Sequence, residues 1–103
     1  MIKYPGNVGD NMNIDLRICN IKNNLRYKIV SLDYFKNCFE LLIRLLKTNN
    51  NNASLDFATV LKETSVELNN QDERREYYKY YTKILLIISE LERKIKVENI
   101  KIR

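Results

Sequence analysis

Hydrophobic and polar positions change rhythm several times along this chain, and each rhythm predicts an element. Over residues 13–30, NIDLRICNIKNNLRYKIV, the period is two. Ile14, Leu16 and Ile18 alternate with Asp15, Arg17 and Cys19, and past NIKNN the residues Leu25, Tyr27 and Ile29 alternate with Arg26 and Lys28. Successive side chains of a strand point to opposite faces. The pattern therefore predicts a β-hairpin over 13–30, apolar on one face and showing Arg17, Arg26 and Lys28 on the other. Two strands alone are marginal in water, so the apolar face must lie on helices or pair with a further strand.

From Ser31 the period lengthens. Leu32, Phe35, Phe39, Leu42 and Leu46 follow helical spacing, widened by Cys38, Leu41 and Leu45, and Ser31 is a suitable N-cap. This predicts a helix over 31–48, ended by the asparagines Asn49 to Asn52, which favour turns. A second helix is expected over 54–68, opened by Asn52 or Ser54 and offering Leu55, Phe57, Val60, Leu61 and Leu68 for burial. Asn69 and Asn70 interrupt again. Asn70 and Glu73 then form a capping pair for a third helix over 71–97, the longest, with Asp72 and Glu73 suited to its N-terminal dipole. The partly alternating end, IKVENIKIR, suggests that Ile100 and Ile102 form a short strand beside the hairpin. Residues 1–12 hold the only proline and both glycines (Pro5, Gly6 and Gly9), which is turn chemistry and reads as a flexible arm. The expectation is one small α+β domain over 13–103, mainly helical: an N-terminal hairpin followed by three helices.

The last helix carries the sharpest feature. Tyr77, Tyr81, Ile84, Ile88, Leu91 and Ile95 repeat at spacings of four and three, the a/d pattern of a coiled coil. The aliphatic run Ile84, Leu85, Leu86, Ile87 and Ile88, with Tyr78, makes the middle turns apolar around most of the circumference. A helix apolar all round needs neighbours on all sides, and two other helices with a hairpin cover only part of it. Two readings of the seam stand side by side: it faces the chain's own core, or Tyr77, Tyr81, Ile84, Leu85, Ile88, Leu91 and Ile95 bind a second copy or another protein. Exposed apolar patches mark such sites, and a two-fold dimer uses one surface twice.

Charge adds an alternative. The 103 residues carry a net +5, distributed as +3 over residues 1–30, −1 over 31–70 and +3 over 71–103. Basic ends and a pI near 9.2 permit nucleic-acid binding without demanding it. RREYYKYYTK interleaves Arg74, Arg75, Lys79 and Lys83 with tyrosines, and Arg75, Lys79 and Lys83 share one helical face. With Arg17, Arg26 and Lys28 of the hairpin they are the candidate phosphate contacts. Against this stands the solvated face of a core helix, with Tyr77 and Tyr81 packed inward. FATVLKETSVELNN fits a helix-turn-helix poorly, since the following helix opens with acidic residues that would repel phosphate.

Catalytic material is sparse. The chain has no histidine, the usual base at neutral pH, and neither Cys19 nor Cys38 has a visible activating partner. Both cysteines sit among apolar residues and read as reduced and buried. Scattered carboxylates do not form a metal set, and PGNVG lacks phosphate-loop spacing. No catalytic, cofactor-binding or metal-binding residue is assigned, and no small-molecule substrate is expected. The N-terminus has no apolar signal core, and no run approaches the ~18 apolar residues of a membrane span, so a cytoplasmic protein is expected. Fourteen asparagines with abundant Ile, Lys and Tyr read as AT-rich coding sequence, such as that of a virus, a phage, a low-GC bacterium or a protist. The resulting expectation is a non-enzymatic interaction module, small subunit or regulator acting through its C-terminal helix. A small basic nucleic-acid-binding protein is the alternative.

Overall fold

The computed structural model describes the backbone of residues 18–102 and the side chains of residues 18–98. The arm 1–12, residues 13–17 and Arg17 among them lie outside the described residues. The described chain is mainly helical, with the longest helix C-terminal. Helix α1 occupies residues 18–27, followed by strand β1 (Val30–Ser31), α2 (Leu32–Leu46), α3 (Asn51–Glu63), β2 (Val66–Glu67) and α4 (Gln71–Ile102).

Over residues 18–27, where the predicted hairpin turns and returns, the chain forms α1 instead; most of the first expected strand lies outside the described residues. Ile18, Ile21 and Leu25 are spaced three and four apart, which is also a helical stripe. Ile18 and Leu25 are buried and Ile21 packs against them. Tyr27 and Ile29, which the hairpin would have turned inward with Leu25, are 83% and 71% exposed. A helix satisfies its own backbone hydrogen bonds, whereas strands over 13–30 would need partners that this fold supplies only briefly. The sheet consists of β1 and β2 in parallel, Val30 opposite Val66 and Ser31 opposite Glu67, with the Val30 amide also donating to the Ser65 carbonyl.

The helix ends follow local chemistry. Ser31 caps α2, its hydroxyl accepting from the Tyr34 amide. The run Asn49 to Asn51 divides three tasks. Asn49 takes φ 60°, a left-handed conformation asparagine tolerates. Asn50 caps α3 by accepting from the Ala53 amide at 3.1 Å, which starts that helix ahead of the expected Asn52 or Ser54. Asn51 donates to Glu98 at 2.9 Å. The second expected helix stops at Glu63 instead of 68, where Thr64 turns its hydroxyl back onto the Val60 carbonyl and the chain enters β2. At the start of α4 the Asn70 side chain accepts from the Glu73 amide, and Glu73 returns a carboxylate to the Asn69 amide. α4 continues through Ile102, so the short strand expected at Ile100 and Ile102 is helix instead.

Side-chain pairs orient the helices. Phe35 meets Tyr77 and Phe39 meets Tyr80, so α2 and α4 run in the same direction. The Asn51–Glu98 bond places the beginning of α3 beside the far end of α4, and α3 therefore runs antiparallel to both. α1 lies across α2 and α3, held by the Lys22–Asp56 ion pair and by Asn24 donating to the Tyr34 hydroxyl at 3.4 Å. The core is built mainly from Phe35, Leu42, Phe57, Leu61 and Ile84, all fully buried.

Candidate interaction face of the C-terminal helix

Consecutive residues of a helix differ by about 100° in direction, and the aliphatic run spreads accordingly. Ile84 is 0% exposed, Leu85 38% and Leu86 66%, while Ile87 and Ile88 are partly buried against the core. Among the described residues, α2 and α3 cover one side of α4, and Tyr78, Leu85 and Leu86 on the other are exposed.

The seven candidate partner residues therefore separate into two groups. Ile84 and Leu91 are buried within the chain, and Tyr77 packs on Phe35 and the core. These three fill the domain's interior and are not available to a partner. Leu85 is exposed, and Tyr81, Ile88 and Ile95 are partly exposed at the edge of the covered side. Tyr78, which the seam passes over, is 61% exposed. Tyr78, Tyr81, Leu85, Ile88 and Ile95 are spaced three, four, three and seven apart, so they line one stripe beside the buried seam. The stripe is joined to the core through aromatic contacts: Tyr77 lies 5.6 Å from Tyr78 and 5.8 Å from Tyr81, centroid to centroid. Burial pushes the Tyr77 hydroxyl above its ordinary pKa, with lesser contributions from Tyr81 and Tyr78. The signal that reveals the stripe is a second heptad register, offset from the first and sharing Tyr81, Ile88 and Ile95 with it. Leu86 lies on the far flank, in line with Lys79 and Val97.

The basic residues are placed as follows. Arg26 and Lys28 are exposed, at the end of α1 and just before β1, and no strand face unites them. Arg75, Lys79 and Lys83 are exposed along one row of α4. Tyr80, the tyrosine nearest that row, is partly buried edge-on against Phe39, with the Lys83 ammonium 5.5 Å from its ring centroid. A ring held in this way cannot open to stack a base. Acidic side chains share the region: Glu76 binds Lys36 at 2.8 Å and holds that ammonium above its usual pKa through the hydrogen bond and its charge.

A cleft of about 300 Å³ lies between α1 and α2, lined by Ile21, Tyr34, Asn37, Cys38, Glu40, Leu41 and Arg44. The Cys38 thiol at this cleft is pushed up to about 11 by burial. It therefore stays protonated and a poor nucleophile at neutral pH. Both cysteines are free, but Cys19 is exposed, contrary to the expectation that both are buried. It sits on α1 next to Ile18, and one step around the helix carries it from core to solvent. Among the described residues no cluster of three or more Cys, Asp or Glu is placed to hold a metal ion. No helix among them is long and apolar enough to cross a membrane. No protein-family model, curated protein or solved structure matches the chain.

Proposed function

We propose that this protein is a non-enzymatic interaction module that works by docking the outer stripe of α4, and that the stripe's occupant is a second copy of the chain. The observation that carries this reading is the exposure of Tyr78 and Leu85 beside an already saturated seam. Ile84 and Leu91 complete the core, so nothing in the fold requires further apolar residues on the neighbouring face. Apolar side chains in a heptad row without a neighbour are what a helix-pairing surface consists of. One self-complementary surface is the simplest way to cover them.

The test is solution mass from micromolar to near-millimolar concentration. The wild-type protein should rise from monomer to dimer over that range, because a single helix pair is small beside the ~800 Å² per partner of standard interfaces. Leu85→Glu should hold the protein at monomer mass while its helical circular dichroism is kept, with a stability change of about 1 kcal/mol or less. Leu86→Glu, on a more exposed residue off the stripe, should leave dimerisation unchanged. Monomer mass for the wild type throughout, or dissociation by Leu86→Glu and not by Leu85→Glu, would overturn the reading.

A further inference from the structure

We infer that the two copies pair through antiparallel α4 helices in one register, clamped at both ends by Arg74 of each chain against Glu92 of the other. This rests on the reading of the α4 stripe as a self-docking surface and adds its geometry. The stripe does not stop at its apolar members. Extended by the same alternation of fours and threes, it reads Arg74, Tyr78, Tyr81, Leu85, Ile88, Glu92 and Ile95, about three heptads and ~32 Å of helix. Arg74 and Glu92 are both exposed, and among the described residues neither belongs to an ion pair.

Charge decides the orientation. A parallel, in-register pair would set Arg74 on Arg74 and Glu92 on Glu92, two like-charge contacts on one interface. With the helices antiparallel and the two-fold axis midway between Tyr81 and Leu85, Tyr81 of one chain faces Leu85 of the other. Tyr78 then faces Ile88, and Arg74 faces Glu92. Each contact occurs twice by symmetry. Four apolar layers are enclosed by two ion pairs, and every member of the row from 74 to 92 meets a partner of matching chemistry. Shifting the register by one heptad would bring Arg74 opposite Leu85 in one direction and Glu92 opposite Tyr81 in the other, and burying either charge without a counter-charge is unfavourable. Of the residues bordering the row on its open side, Arg75, Thr82, Ser89 and Lys96, all exposed, the two central ones are small, which leaves room for a second helix to approach at the middle of the row.

Charge reversal tests the register separately from the docking reading. Arg74→Glu and Glu92→Arg should each weaken dimerisation roughly tenfold, since each replaces two attractions by two repulsions at partly exposed sites. The double variant, carrying both changes in one chain, should regain wild-type affinity. In a parallel pair neither single change would alter the charge pattern, because like would still face like. Singles without effect, in a protein that dimerises and is dissociated by Leu85→Glu, would overturn the register and leave the docking face standing. Singles that weaken association without recovery in the double variant would also overturn it. A wild-type protein that never dimerises would remove the docking reading and the register together.

Discussion

Neighbouring residues in this chain are used in opposite ways because a helix turns each side chain away from the last. Ile18 and Cys19 show it on α1, where the isoleucine is buried and the thiol is exposed. The two cysteines should consequently behave as different reagents. Cys19 should react with a thiol probe in the folded protein at the rate of an open thiol, and Cys38 only as the chain unfolds. Burial also gives Cys38 a pH signature. Its folded pKa, about 11, lies above its ordinary value of 9.0. The stabilisation from keeping this thiol neutral is fully present below about pH 9 and is lost as pH rises toward 11, because the unfolded chain ionises first. The slope is at most about 1.4 kcal/mol per pH unit in that window. Denaturation of wild type and Cys38→Ala from pH 8 to 11 isolates it: the alanine variant starts less stable, and the gap should narrow with rising pH. A constant gap would mean that the thiol is not buried in a desolvated site.

At the scale of elements, α1 is the decisive case. The hairpin pattern and the helix pattern coexist over 18–29, sharing Ile18 and Leu25 and disagreeing on Tyr27 and Ile29. Leu25→Ala should cost about 2–4 kcal/mol, as for a large-to-small change in a core. Tyr27→Ala should cost about 0.5 kcal/mol or less. Comparable losses at both positions in chemical denaturation would restore the alternating reading. Other elements were plain in the sequence for physical reasons that α1 lacks. α2 presents one uninterrupted stripe behind a serine cap, and α4 has a carboxylate-rich first turn with an asparagine cap. The run from Asn49 announced the break between α2 and α3, and Asn70 the start of α4, but α3 ends at Glu63, ahead of the second asparagine pair. What could not be read locally was decided by distant partners. The β1–β2 pair joins two residues to two across the whole of α2 and α3, too short for any periodic signal. The heptad seam was visible, but which side of α4 meets α2 and α3 depends on where Phe35, Phe39 and Asn51 come to rest. Ile84 and Leu91 thus passed from candidate partner contacts to core residues, and Tyr78 entered the candidate face.

At the scale of the whole molecule, one face of α4 completes the domain and the other carries exposed apolar residues, which the proposed dimer would cover. Stability and association then become separately adjustable, and thermal unfolding can show it. A dimer that forms only between folded chains stabilises them by mass action. The melting temperature of the wild-type protein should therefore climb with concentration. A stabilisation of about 1 kcal/mol corresponds to several degrees for a domain near this size. Leu85→Glu should flatten that dependence while staying within a few degrees of wild type at high dilution. Ile84→Ala should do the reverse. It opens a cavity beneath α4, costs about 2–5 kcal/mol, and lowers the melting temperature at every concentration. Its curve should still climb in parallel with that of the wild type, because the outer stripe is intact. Such a contrast between adjacent residues requires the two faces of α4 to be energetically distinct. If Leu85→Glu kept the wild-type slope, the outer face would not be the interface. If Ile84→Ala lost the slope, the docking surface would depend on the core beneath it, and the division would not hold.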